Sequence, residues 1–356
     1  MASRSRLALC FAVGMALVMP GAAQAAVKSV NMGLSEKAGA PLRPYLADAN
    51  AFFPSNVAIH VGDSVRFVPA SFHSAHLLGK SGKILPINVL TGKTIAGITD
   101  AAGVPFFFNG LPEVGSNPAL FAPPGNFGKT VVTNGTKEIE SGLPTARNPK
   151  PMVVKFTKAG LFTYLCDLHP GMKGTVRVAP KRKPVPSPAA DAKRVKAQFA
   201  KDLTVAKTFP SIKPPANTVY VGYTGAGGTT LFGFAPSKLT VAVGTTVTFT
   251  TAKAITETHT ASTGPGNPDK EPTSYLGTIA TGQDDQRLAY PSDPPPAGPA
   301  ALTPLLHGNG FWNSGVLDPL ATSPPPASNS VTFAAAGTYE FYCLIHTFMH
   351  GTITAQ

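Results

Sequence analysis

Residues 152–175 read MVVKFTKAGLFTYLCDLHPGMKGT, and residues 329–352 read NSVTFAAAGTYEFYCLIHTFMHGT. Aligned without a gap, the two place Phe156 on Phe333, Gly160 on Gly337, Cys166 on Cys343, His169 on His346 and Met172 on Met349. A Gly-Thr pair follows each Met after one residue. A second match lies upstream: FPSNVAIHVGDSVRF at 53–67 and FAPSKLTVAVGTTVTF at 234–249. Val57, Ile59 and Val61, and likewise Leu239, Val241 and Val243, alternate with the period of a half-buried strand, and a glycine then marks a turn into the next strand. The chain therefore reads as a tandem duplication. We expect one copy over 26–180 and the other over 218–356.

The composition agrees with a β-rich reading. Of 356 residues, 35 are Gly and 36 Pro, only 13% are charged and 43% are hydrophobic. Such a chain has enough apolar surface for sizeable cores, which excludes global disorder. Its wealth of turn formers argues against a helical bundle or coiled coil. Residues 1–25 combine Arg4 and Arg6, an apolar stretch from Leu7 to Met19 and the small-x-small end Ala23-Gln24-Ala25, which is the pattern of a secretory signal peptide. A periplasmic or secreted protein is expected, with no stable membrane insertion after the signal is removed. Cleavage takes the formal charge from +12 to +10, since the segment carries two Arg and no acid, and leaves Cys166 and Cys343 of three cysteines.

Residues 181–217 differ in kind. Lys181-Arg182-Lys183 among Pro180, Pro184, Pro186 and Pro188 make a stiff basic spacer. Ser187-Pro188 reads as an N-cap followed by proline in the first turn. Val195, Phe199 and Leu203 fall four apart, so a helix over about 188–207 would carry one apolar stripe onto a neighbouring unit.

The repeated spacing C-x-x-H-x-x-M, at Cys166, His169, Met172 and at Cys343, His346, Met349, puts a thiolate, an imidazole and a thioether on one short loop. That donor set suits copper, and with a second imidazole it is the set of a blue-copper electron-transfer site. Each copy has a candidate for that imidazole. His259 lies in Thr258-His259-Thr260-Ala261, ten residues after Phe249. In the first copy His73 and His76 compete, and His73-Ser74-Ala75 matches His259-Thr260-Ala261 better. A hydroxyl next to the ligand, Ser74 or Thr260, can hold the site by a hydrogen bond. A Cys166–Cys343 disulfide would have to join equivalent ends of two separate units. Met is a poor zinc ligand.

These residues resemble the cupredoxins, among them plastocyanin, amicyanin, pseudoazurin and the halocyanin-like proteins. The likeness covers the framework strands and metal loops of both halves, and the short gap between His169 and Met172 is similar to that of amicyanin. The resemblance implies an all-β fold of two tandem Greek-key sandwiches, to which this sequence adds long loop insertions and a short linker helix. It also implies two type 1 copper ions per chain. By carry-over His73, Cys166 and His169 are equatorial ligands with Met172 axial, and His259, Cys343, His346 and Met349 take the same roles. The chain departs from the small family members in length: 92 residues separate His73 from Cys166, and 83 separate His259 from Cys343. The insertions, roughly 77–150 and 262–325, are open to three readings: a cover for the copper, a dock between the units, or a partner surface.

Two-domain cupredoxins include copper oxidases and nitrite reductases, whose further copper ions need further histidines. The chain has eight, at 60, 73, 76, 169, 259, 307, 346 and 350. Leu165 and Tyr342 stand directly before the two cysteines, where such enzymes carry a histidine. An electron carrier with no catalytic residues is therefore expected, with the edges of His169 and His346 as electron ports. The basic balance favours an acidic redox partner, and nothing suggests nucleic acid. A copper-delivery protein, or an enzyme with an inter-subunit copper built from His60, His76, His307 or His350, are the alternatives.

Overall fold

A computed structural model describes residues 25–356 except 81, 122–124, 170, 283, 295–297 and 320–326. The signal pattern lies outside the described residues except for Ala25.

Two pairs of sheets carry the same strand order twice. In the first pair, one sheet runs Phe52–Phe53, Val27–Met32, Ser64–Pro69, Met152–Phe156, Thr130–Thr133. Its companion runs Ile139–Glu140, His76–Leu77, Gly160–Leu165, Lys173–Ala179, Asn56–His60. In the second pair the corresponding sheets run Thr229–Ala235, Thr218–Thr224, Thr246–Thr250, Ser328–Phe333, Ala300–Leu302, and Trp312–Asn313, Ser262–Thr263, Gly337–Tyr342, His350–Ala355, Lys238–Val241. Each position in one copy has its counterpart in the other. The fold is all-β, as the alternating patterns require.

The alternation decides what each strand buries. Met152, Val154 and Phe156 point inward from one sheet to meet Val57, Ile59, Tyr164 and Val176 from the other. Val247, Val331 and Phe333 meet Val241, Phe341 and Ile353 in the same way. The glycines of the upstream repeat make equivalent turns, Gly62 N–H bonding to Phe156 O and Gly244 N–H to Phe333 O.

Three features tie the halves together. Strand Ala47–Ala49, from the first half, pairs antiparallel with Thr229–Leu231 and extends the six-stranded sheet of the second. The insertion after His76 forms a hairpin, Asn88–Thr94 with Pro112–Ser116, and then buries Ile95, Phe106 and Phe108 among Leu276, Ile279, Phe311, Tyr342 and Leu344. Full burial of a side chain of this size is worth about 1.5–3 kcal/mol. Gln286 pairs with the backbone of Val114 in both directions, at 3.1 and 2.8 Å. Of the readings open for the first insertion, the structure favours docking.

The third tie is helix Pro188–Ala206, with Ser187 accepting from Ala190 N–H and Pro188 in the first turn. Its stripe of Val195, Phe199 and Leu203 packs on a core built from Leu42 and Phe53 of the first half, Leu231 of the second and Phe209 of the joining segment. Lys28 Nζ anchors its start, 2.6 Å from Asp191 Oδ2. Among the described residues no helix is long and apolar enough to cross a membrane.

Candidate metal centres

Cys166 follows directly on strand Gly160–Leu165, and the loop after it is closed by its own backbone. Met172 N–H donates to His169 O at 2.7 Å, and Cys166 N–H to Met172 O at 3.1 Å. The second copy repeats both bonds, Met349 to His346 at 2.8 Å and Cys343 to Met349 at 3.2 Å. The C-x-x-H-x-x-M spacing is thus the length that turns the chain back on itself and brings three donors to one end of the sandwich. Met172 and Met349 are buried and belong to the same packed clusters as their cysteines.

The upstream histidine arrives beside the sulfur through its neighbour. Ser74 N–H donates to Cys166 Sγ at 3.3 Å, and Thr260 N–H to Cys343 Sγ at 3.4 Å. The hydroxyls hold the start of each ligand loop, Ser74 Oγ accepting from Asp167 N–H at 3.0 Å and Thr260 Oγ1 from Leu344 N–H at 2.8 Å. This is the supporting role the sequence suggested for them.

Each copy then presents a triangle of Nδ1, Nδ1 and Sγ. In the first, His73 and His169 nitrogens lie 2.9 Å apart and sit 3.9 and 3.4 Å from Cys166 Sγ. In the second, His259 and His346 lie 3.2 Å apart, each 3.8 Å from Cys343 Sγ. An ion bonded at about 2.3 Å to sulfur and about 2.0 Å to two nitrogens in one plane needs edges of about 3.5–3.8 Å. The second triangle is close to that size and the first is skewed, with a short nitrogen–nitrogen edge and one long sulfur–nitrogen edge, so both come near the arrangement of a metal held by two imidazoles and a thiolate. His76 is not part of the first triangle. It lies in a separate group with Glu140 and Asp167.

A second glycine pair completes each triangle. Gly33, at φ +75°, and Gly222, at φ +76°, lie against the outer edges of His73 and His259. A Cβ on Gly222 would sit 2.3 Å from His259 Nε2, and one on Gly33 2.6 Å from His73 Nε2. Sequence reasoning passed over both. Yet Val30-x-Met32-Gly33 and Val219-x-Val221-Gly222 are a third short repeat that could have found them.

The electrostatics favour thiolates. Burial alone would raise the Cys166 thiol, but the charge and hydrogen bond of His169, helped by His73, overturn this and bring it down to about 5. Cys343 is held well below its ordinary value against the same burial by His259 and His346. A thiolate is the form that ligates a metal. Burial would lower His169, yet Glu257 and Cys166 raise it to about 10. Glu257, despite burial that favours its neutral form, is brought down to about 2 by His169, His346 and His259.

Glu257 was not anticipated. It belongs to the second half, is 9% exposed, and reaches both triangles: Oε2 is 3.0 Å from His169 Nε2, and Oε1 is 3.6 Å from His346 Nε2. Asn50 Nδ2, from the first half, donates to it at 3.1 Å. The two centres therefore face each other across one carboxylate. The two histidine edges read from the sequence as electron ports differ in their surroundings. His169 is turned onto Glu257 with its side chain 10% exposed, whereas His346 keeps 20% beside the half-exposed Phe348.

The remaining histidines lie elsewhere. His60 Nε2 bonds Lys183 O at 2.8 Å, His307 contacts Asp100 and Asp293, and His350 is exposed at the start of its strand.

No family model matches the chain, and no curated protein does. Among solved structures it is similar to a purple cupredoxin from Nitrosopumilus maritimus, at 19% identity, over 39% of this chain and 98% of that one, with a TM-score of 0.21. It is also similar to the Cu(I) form of an amicyanin variant, at 17% identity over 41% of this chain and 86% of that one, and to a second, reduced amicyanin variant at 18% over the same shares, each with a TM-score of 0.22.

Proposed function

We propose that the chain is an exported copper protein with one type 1 site in each half, 26–180 and 218–356, joined by the basic segment 181–217, and that it carries electrons. The observation that supports this best is the repeated triangle of two buried imidazole nitrogens and one low-pKa thiolate, set by matching strands, glycines and hydroxyls in both copies. In this reading His73, Cys166, His169 and Met172 hold the first ion, and His259, Cys343, His346 and Met349 the second. Copper so bound supplies one-electron Cu(I)/Cu(II) exchange.

The chain's own residues do the rest. The strands and the closed loops hold the donors in place, so that little movement is needed on either side of the exchange. Glu257 accepts from the outer nitrogen of His169 and lies 3.6 Å from that of His346, which leaves each Nδ1 free to ligate and links the centres to one another. His346, with Phe348 beside it, is the port toward an external redox partner, which the net positive charge suits if that partner is acidic. In the export reading this partner is met in the periplasm or outside the cell.

The test is direct. The chain reconstituted with Cu(II) should bind two ions at the sulfur sites and show an intense thiolate-to-copper band with the EPR signal of a type 1 site. Cys166→Ser and Cys343→Ser should each remove one of the two. A colourless protein, or one whose colour survives both substitutions, overturns the reading. Copper that exchanges freely with chelators and transfers no electrons to redox dyes overturns the carrier role in favour of delivery.

A further inference from the structure

His76, set aside as a ligand of the first triangle, has a different environment that calls for an explanation. Its side chain is fully buried between the strands of Glu140 and Leu165. Its Nδ1 faces three carboxylate oxygens at once: Asp167 Oδ1 at 2.9 Å, Asp167 Oδ2 at 3.0 Å and Glu140 Oε2 at 3.2 Å. One nitrogen carries at most one proton, and Glu140 Oε2 is left buried with no hydrogen bond. The Asp167 oxygens have modest further support, from Leu85 N–H at 3.1 Å and Ser74 Oγ at 3.3 Å. On the far side of the ring Glu138 Oε1 lies 2.8 Å from Nε2, though not in line for a hydrogen bond. Three carboxylates thus surround one imidazole, a surplus of negative charge even when that ring is protonated.

The second copy is a built-in control. Ser262 holds the register position of His76, pairing with Asn313 and Tyr342 where His76 pairs with Glu140 and Leu165. Leu344 stands after Cys343 where Asp167 stands after Cys166. There the network is neutral and satisfied: Ser262 Oγ donates to Asn313 Oδ1 at 2.7 Å, and Asn313 Nδ2 donates to the carbonyls of Arg287, Leu288 and Tyr290. The fold therefore does not need charge at this place. A cluster of a buried imidazole, a buried Asp167 carboxylate and a Glu140 carboxylate only 19% exposed is costly unless something compensates it.

We propose that His76, Glu140 and Asp167 form a third metal site, for a divalent cation that takes one imidazole nitrogen and carboxylate oxygens. Their donor atoms all lie within 4.8 Å of one another. The donor set is nitrogen and oxygen only, so it selects a harder ion than the thiolate triangles do. Glu138, 43% exposed, sets a negative charge beside Nε2, which favours a proton on that nitrogen and leaves Nδ1 as the donor.

Co2+ is the probe, because cobalt on a thiolate gives intense near-ultraviolet bands and cobalt on nitrogen and oxygen does not. The metal-free chain should bind one Co2+ without such bands, in addition to those that produce them. His76→Ser with Glu140→Asn, which installs the residues of the second copy, should abolish that ion and leave the thiolate bands unchanged. Glu140→Gln, closer in shape, should weaken it by at least about 10-fold. If every bound Co2+ gives thiolate bands, or if the band-free ion survives both variants with unaltered affinity, the site does not exist. The thiolate bands report the two triangles separately, so failure there is distinguished from failure here.

Discussion

Gly222→Ala tests whether the histidine triangles depend on a glycine at their outer edge. Two costs arise. The first is conformational, since φ is +76° and an L side chain in that region costs roughly 1–2 kcal/mol. The second is steric: the added Cβ would lie 2.3 Å from His259 Nε2 and 2.6 Å from its Cδ2, so the imidazole must move. Forcing extra volume into a packed interior typically costs about 1–3 kcal/mol. Gly244→Ala, in the same copy at φ +88° with nothing within 4 Å, carries only the first cost. Denaturant unfolding of the two variants should therefore show Gly222→Ala less stable than Gly244→Ala by about 1–3 kcal/mol. Metal titration should show the Cys343 site weakened in the first variant and untouched in the second, with the Cys166 site intact in both. Equal stability losses, or an unaltered Cys343 site in Gly222→Ala, would refute the reasoning.

Other outcomes follow from the same geometry. Glu257→Gln removes the strongest influence raising His169, so in the metal-free chain the ring should titrate at least one unit lower, read by NMR; an unchanged titration would mean the carboxylate does not hold that imidazole. Asp202, buried in helix Pro188–Ala206 with one oxygen unpartnered, is raised by burial from 3.8 to about 6. A carboxyl raised on folding destabilises as it ionises, so its cost of about 2–3 kcal/mol should be absent below pH 4, grow up to pH 6 and stay constant above. Asp202→Asn should remove that slope and be the more stable protein at pH 7 by chemical denaturation. Phe106→Ala, at the buried contact of the first insertion, should cost about 3–5 kcal/mol and expose the hairpin to protease, and a loss under 1 kcal/mol would place the docking energy elsewhere.

What could be read in advance, and what could not, divides along physical lines. Cys166, His169 and Met172 were legible because a closed loop fixes their spacing in sequence as in space. His259 was legible because its neighbours Thr260 and Ala261 repeat Ser74 and Ala75, and the structure sets His73, not His76, beside Cys166 for the same reason. Glu257 gave no such sign. It meets His169 across 88 positions of chain, and nothing local distinguishes a glutamate that will be buried between two imidazoles from one that faces water. The charged group around His76 was hidden for the opposite reason. It is where the copies differ, and a search for repeats discards differences.

The donated strand Ala47–Ala49 has a consequence for how the protein could have arisen and how it can be dissected. Cutting the gene between its repeats would strip the second sheet of its border and leave Thr229–Ala235 with bare amides and carbonyls along one side, a template for sticking to other chains. A single ancestral unit would have stood alone; since its duplication the second copy takes its border from the first.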